Sequence, residues 1–118
     1  MKVSELTGAA LDWAVAKCEG ADFYTSAGIL YVLWSGKFDV RLTDYSPSTD
    51  WAQGGPIIER EGIAIRKYGD FPETIWQADK WQFRFAEPQA YGPTPLIAAM
   101  RCFVASKLGD EVEVPDEL

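Results

Sequence analysis

From Leu6 to Glu19 the apolar residues Leu11, Ala14, Val15 and Cys18 recur at i, i+3, i+4 and i+7, which puts them on one stripe of a helix. Thr7 stands where an N-cap belongs and Gly20 just past the end, so the pattern predicts an amphipathic helix here. Trp13 and Ala16 fall off the stripe, which predicts cover on more than one side. Residues 29–34 (Ile29-Leu30-Tyr31-Val32-Leu33-Trp34) form a continuous β-favouring run, and Phe38, Val40 and Leu42 alternate with Asp39, Arg41 and Thr43. The short Ser35-Gly36-Lys37 link between them predicts a hairpin. Ile63 and Ile65 alternate with Ala64 and Arg66, and Trp81, Phe83 and Phe85 with Gln82 and Arg84, giving two more half-buried strands; residues 73–76 are a weaker candidate. The closing element has Thr94 as a cap and Pro95 at the first helical position. Leu96, Ile97, Met100, Phe103, Val104 and Leu108 follow at helical spacing, and Gly109 stops the helix.

The order helix, four or five antiparallel strands, helix belongs to the α+β class: a small antiparallel sheet packed with an N-terminal and a C-terminal helix. A chain of 118 residues suits one domain, here residues 1–109, followed by an acidic tail over 110–118. With 47% hydrophobic residues the chain is too apolar for disorder. Its net charge of −7 opposes nonspecific binding to nucleic acid or an anionic membrane surface. Five of the acids lie in the last ten residues, however, so residues 1–108 carry 13 acids against 11 bases and the body is nearly neutral. The tail reads as a solvated end whose removal leaves the melting temperature unchanged.

The chain contains no His. A Ser-His-Asp or Cys-His nucleophile needs an imidazole base, so both mechanisms are excluded. Cys18 and Cys102 are 84 positions apart and make neither a disulfide framework nor a paired metal motif. No cofactor or metal is assigned, although Asp44 and Asp50 with Mg²⁺ remain an arrangement that one sequence leaves open. No apolar run reaches the roughly 18 residues of a membrane span, and the first five residues do not read as a signal peptide, so the expected location is the reducing cytoplasm.

Between Asp44 and Gly62 neither period holds, and the stretch is dense in turn formers. It reads as a long loop, the kind that is functional or disordered. It carries the hydroxyls of Tyr45, Ser46, Ser48 and Thr49, the carboxylate of Asp50, the amide of Gln53 and the aromatic plate of Trp51. Gly54 and Gly55 could expose N–H groups as an anion nest, with Trp51 stacking on a planar ring. The structural alternative is that Ser48 or Thr49 caps a short helical turn from Asp50, Trp51 fills the core and Gly54-Gly55-Pro56 turns the chain. The second candidate is Tyr91-Gly92-Pro93-Thr94-Pro95, since a helix start attracts anions and Gly92 permits close approach; its alternative is a capped helix with a stiffened entry. Arg101 interrupts an apolar helix and is either a buried partner for an acid or a ligand contact.

Three long segments carry a resemblance: Ser4-Glu5-Leu6-Thr7-Gly8-Ala9-Ala10-Leu11-Asp12-Trp13-Ala14-Val15-Ala16, Tyr45-Ser46-Pro47-Ser48-Thr49-Asp50-Trp51-Ala52-Gln53-Gly54-Gly55-Pro56-Ile57-Ile58-Glu59 and Tyr91-Gly92-Pro93-Thr94-Pro95-Leu96-Ile97-Ala98-Ala99-Met100-Arg101-Cys102. Together they resemble the NinX proteins of lambdoid bacteriophages, over nearly the whole chain. The resemblance implies a small accessory protein made inside an enterobacterial host; it implies no activity and carries over no catalytic residue. Three functions are open. The first is a non-catalytic module that binds or sequesters a small nucleotide-like ligand between the Ser46–Pro56 loop and the start of the last helix. The second is an inhibitor or adaptor of a host protein, working through exposed aromatics or the acidic tail. The third is a carboxylate or Mg²⁺ enzyme. Self-association is also left open.

Overall fold

The first helix, α1 (Gly8–Cys18), buries Leu11, Asp12, Trp13, Ala14, Val15 and Ala16, so it is covered on several sides, as the off-stripe Trp13 and Ala16 predict. Thr7 holds the N-cap position with no side-chain cap bond. This computed structural model describes residues 1–34, 39–69, 75–80 and 89–118. The last helix, α3 (Pro95–Leu108), spans the predicted residues, and Thr94 Oγ1 caps it by accepting from the Ile97 N–H at 3.1 Å. Phe103, Met100, Val104 and Cys102 are fully buried on α3, which packs against both α1 and a sheet.

The predicted single sheet of four or five strands is corrected to two separate antiparallel sheets of three strands each. The first comprises β1 (Asp22–Ser26), β2 (Ile29–Leu33) and β3 (Val40–Arg41). The pattern missed β1, whose residues are mostly exposed and so lack the apolar alternation of a half-buried strand. Its turn is tight: Ala27 and Gly28 both have positive φ, 52° and 78°, the two-residue geometry that matches strand twist. Ser35–Phe38, including the predicted link, lie outside the described residues; β2 and β3 pair antiparallel, with Tyr31 opposite Arg41. Leu42 leaves the strand for a 3-10 turn, Leu42–Asp44.

The second sheet has β4 (Ile63–Tyr68), β5 (Ile75–Lys80) and β6 (Gln89–Gly92) in that order, with Ala78 opposite both Ile65 and Ala90. Of the weak candidate at 73–76, Ile75 and Trp76 open β5, while residues 73 and 74 and the predicted strand at Trp81–Phe85 lie outside the described residues. Ile63, Ile65, Ala78 and Ala90 share the face that α3 covers.

The largest correction concerns the expected Asp44–Gly62 loop. Residues 51–61 form a helix, α2 (Trp51–Glu61), despite two glycines and Pro56 inside it. Asp50 starts it by accepting the Ala52 N–H at 2.9 Å, and Gly62 ends it in the left-handed region at φ 66°. Gly54 explains why a poor helix former is kept here. A Cβ on Gly54 would overlap the Pro47 carbonyl oxygen and come within 2.6 Å of Leu96 Cδ2, so α2 can lie against the start of α3 only without a side chain there. Tertiary packing of Gly54 and Ile57 overrides propensity.

The tail also departs from expectation. The Val3 N–H donates to the Asp110 carbonyl at 2.9 Å, the Val112 N–H to the Met1 carbonyl at 3.0 Å, and the Met1 ammonium to the Val112 carbonyl at 2.8 Å. Val112 is buried and Val114 packs against the core, so the two chain ends clasp each other. Two apolar residues among like charges are enough to anchor the segment once the N-terminus supplies backbone partners.

Candidate functional site

A groove of about 710 Å³ runs along β6, between that strand and the clasped chain ends. Its lining includes the small residues Ala90, Gly92 and Ala105, the larger Tyr91, Ile75 and Pro93, and the polar or charged Lys2, Ser4, Gln89, Asp110 and Glu111. Gly92 lies close under α3, and a Cβ there would come within 2.8 Å of the Ala98 nitrogen. Its glycine therefore serves packing of the strand on the helix.

Arg101 lines the groove while only 9% exposed. Its Nε donates to the Leu6 carbonyl at 2.9 Å and its Nη1 to the Tyr91 carbonyl at 2.7 Å. An arginine has five N–H donors. Among the described residues the other donors have no protein partner, and no carboxylate lies within 4.0 Å of the guanidinium. The acid partner expected for a structural arginine is thus replaced by two backbone carbonyls, which fix the fork without an ion pair among the described residues. Burial pushes the Arg101 pKa down from its usual value, as expected of a desolvated cation, and an arginine still stays charged. By engaging the Tyr91 carbonyl, Arg101 also takes an acceptor that an added strand could use.

The Tyr91 ring, 40% exposed, is held in place. Its hydroxyl accepts from Gln77 Nε2 at 3.3 Å and donates to Gln89 Oε1 at 3.4 Å, and the Tyr68 ring meets it edge-on at 5.4 Å. Tyr91, Gly92 and Arg101 are therefore brought to one groove. Thr94 is not among its lining residues and is occupied in capping α3.

The Ser46–Pro56 residues are placed elsewhere. The Ser46 N–H donates to Gln53 Oε1 at 2.9 Å, and Gln53 Nε2 donates to Asp50 Oδ2 at 3.1 Å, so both polar side chains brace the start of α2. Ser48 is buried, its N–H donating to Asp12 Oδ1 at 2.9 Å; burial pushes the Asp12 pKa up, against the hydrogen bonds from Ser48. Thr49 is exposed, and Trp51 is 56% exposed and does not fill the core. The Gly54 N–H donates to the Asp50 carbonyl at 2.9 Å, and Gly55 lies inside the helix, so the expected nest is a helical first turn. Gln53 lines a smaller hollow of about 310 Å³ together with Glu19, Trp34, Tyr45, Ile57 and Arg60. The segment meets the start of α3 through packed Gly54 and Leu96 rather than across a cavity.

Sequence reasoning missed Lys2, Ser4, Gln89, Asp110 and Glu111. No local pattern marks them, because the clasp of the two ends brings most of them to β6.

Other titratable groups serve structure. Burial is the main cause that pushes the Cys18 thiol up to about 12 and the Cys102 thiol up to about 11, so both stay protonated near neutral pH. Glu61 accepts from Lys80 Nζ at 2.9 Å and Arg60 Nε at 2.8 Å, with Lys107 at 3.7 Å. Burial opposes its charge, but these hydrogen bonds and cations win and hold its pKa at about 2.

Residues 2–107 match the family model described as Bacteriophage P22, NinX. No curated protein matches the chain. Among the described residues no helix is long and apolar enough to cross a membrane.

Proposed function

The chain belongs to the NinX family of phage proteins, and from that premise we propose that it is an accessory protein that binds or sequesters a small anionic, nucleotide-like ligand in the β6 groove without converting it. The observation that carries this reading is Arg101. A cation this deeply desolvated is costly unless an anion meets it, and here the fork is fixed, lines an open groove and has unused donors. An anionic group would take those donors as charge-assisted hydrogen bonds. The Tyr91 ring would bear on a planar body, and the groove's volume lies in the range of small-ligand sites. The lining has no thiol, and the sequence has no imidazole, which supports binding without thiol or imidazole chemistry. The setting proposed is the cytoplasm of the bacterial host.

The test is thermal melting of the full chain with inorganic phosphate, small carboxylates and a panel of linear and cyclic nucleotides. A ligand at 100 times its Kd adds about 2.7 kcal/mol. That gain should shrink in Arg101→Lys, which keeps the charge but loses the fork, and in Tyr91→Ala, which leaves the Arg101 anchor on the backbone carbonyl in place. Chromatography should return the ligand unchanged. A flat panel, a shift indifferent to both substitutions, or product formation would overturn the reading.

A second reading, docking of a host protein, has its own observation. Tyr24 and Tyr31 stack at 5.0 Å on the outer face of the first sheet, beside Ile29 and Leu33, which are 40% and 39% exposed. Under this reading Tyr31→Ser with Leu33→Ser abolishes the effect on the host while groove binding persists; the reverse result removes it.

A further inference from the structure

We infer that β1 is an assembly edge and that its occupant is β1 of a second copy of this chain, paired antiparallel about a two-fold axis at Tyr24. β1 contributes no residue to the lining of the β6 groove, so this interface and the groove stand or fall separately.

Each sheet has two edges, and among the described residues three of the four are protected against further pairing. β3 is only two residues long. β4 carries Arg66 and Lys67 side by side, and charges on an edge strand oppose edge-to-edge association. β6 gives its Tyr91 carbonyl to Arg101 at 2.7 Å, and the clasped chain ends stand beside it. β1 has none of these devices. Its residues, Asp22-Phe23-Tyr24-Thr25-Ser26, include no Lys, Arg or Pro, pair one-to-one with β2 without a bulge, and are exposed except for the half-buried Phe23. Phe, Tyr and Thr at its centre favour extended backbone. An open edge of this length is a template for another strand.

The turn into β2 fixes which backbone groups are free. A two-residue hairpin closes on a hydrogen-bonded pair, here Ser26 with Ile29, and such pairs alternate along an antiparallel ladder. Ser26, Tyr24 and Asp22 therefore direct their N–H and C=O groups to β2, and Phe23 and Thr25 direct theirs outward. A two-fold axis at Tyr24 sets Phe23 opposite Thr25 of the second copy, and Thr25 opposite Phe23 of the second copy, so every outward group meets a partner. An axis at Phe23 would instead pair Thr25 with Ala21, whose N–H already donates to the Ala16 carbonyl at 3.1 Å. An axis at Thr25 would pair Phe23 with Ala27, which lies in the positive-φ turn. Side chains favour the same axis. Tyr24 meets its counterpart in the closer, non-hydrogen-bonded kind of pair, which extends the Tyr24–Tyr31 stack across the axis. Asp22, the one charge on the strand, falls opposite Ser26, and the two Asp22 residues lie about 13 Å apart along the strand, beyond a screening length of about 10 Å.

The experiment is sedimentation velocity of the full chain from about 10 µM to about 1 mM, the range in which a contact of the small, transient class assembles, together with oxidative cross-linking. The wild type should pass from monomer to dimer over that range. Thr25→Pro removes an outward N–H without touching the β1–β2 bonds, so it should weaken the dimer at least tenfold while its Tm stays within about 4 °C. Tyr24→Cys sets a thiol opposite its own counterpart, within reach of a disulfide, whereas the thiols of Ser26→Cys would lie about 13 Å apart along the strand. Tyr24→Cys should therefore form a covalent dimer at least tenfold faster than Ser26→Cys, measured above the background of the wild-type Cys18 and Cys102. A chain that stays monomeric throughout, a dimer that a folded Thr25→Pro leaves intact, or Ser26→Cys linking as fast as Tyr24→Cys would overturn the inference. If Thr25→Pro does not fold, the ratio of the two cross-linking rates decides.

Discussion

Gly54 and Gly55 are adjacent in sequence, yet alanine at the two positions should have different consequences. In a helix interior, glycine to alanine is worth about 0.5–1 kcal/mol of added stability, because the unfolded chain loses backbone freedom. At Gly54 a much greater steric cost opposes this gain. The new methyl would overlap the Pro47 carbonyl oxygen and approach Leu96 Cδ2 to 2.6 Å. Leu96 can rotate, but Pro47 is backbone, and the next residue, Ser48, is tied to Asp12 through its N–H. Overpacking of this kind costs about 1–3 kcal/mol, so with a backbone clash the upper end applies and the net loss is about 2 kcal/mol. At Gly55 nothing beyond its chain neighbours and the surrounding turns of α2 backbone lies within 4 Å of the new methyl. The helical gain is offset there by crowding against Pro56, since a residue before proline resists the helical region once it has a Cβ. Gly55→Ala should therefore be neutral within about 0.5 kcal/mol. At about 4 °C per kcal/mol for a chain of this size, Gly54→Ala should lower Tm by about 8 °C and Gly55→Ala should move it by no more than about 2 °C. Calorimetry of both variants checks this. If Gly54→Ala melts with the wild type, α2 does not lie against Pro47 and Leu96, and the stretch is the open loop its composition suggests.

Three further outcomes are expected. Glu61, with its folded pKa held at about 2 against an ordinary 4.5, adds stability that is full above pH 4.5 and is lost as pH falls toward 2. Glu61→Gln should therefore flatten the acid limb of denaturant midpoint against pH by up to about 3 kcal/mol, and an unchanged slope would remove Glu61 as its source. Deleting residues 110–118 exposes the Val112 contact and breaks three backbone bonds of the clasp, so urea unfolding should show a loss of about 3 kcal/mol, whereas an unchanged midpoint would mean the clasp contributes nothing. Trp51→Ala should alter stability by less than about 1 kcal/mol and leave groove binding intact, because the ring is 56% exposed and is not among the groove's lining residues; a large loss in either assay would contradict that placement.

Elements whose signal is local are legible in the residues alone. The apolar stripes of α1 and α3, the Thr94-Pro95 start and Gly109 stop of α3, and the strands at Ile29–Leu33 and Ile63–Tyr68 all follow from period, caps and β propensity within one element. A minority of the groove is legible for the same reason: Tyr91-Gly92 stands out before a capped helix, and Arg101 as a charge in an apolar one. The remainder depends on contacts between distant parts of the chain. Residues 51–61 are helical because Asp50 caps them and Gly54 lets them pack on Pro47 and Leu96; the cap is local, but the contact with Leu96, 42 positions on, lies outside any window of sequence. Each sheet pairs only consecutive strands, and the division into two lies in what does not pair: β3 and β4, with α2 between them, join different sheets, and strand propensity carries no signal for that. The placement of Arg101 that the proposed function rests on arises only when the fold buries it against the Leu6 and Tyr91 carbonyls with no carboxylate within 4.0 Å among the described residues. Lys2, Asp110 and Glu111 reach the groove through backbone bonds between the two ends, and such bonds form irrespective of side-chain identity, so they leave no mark in the sequence.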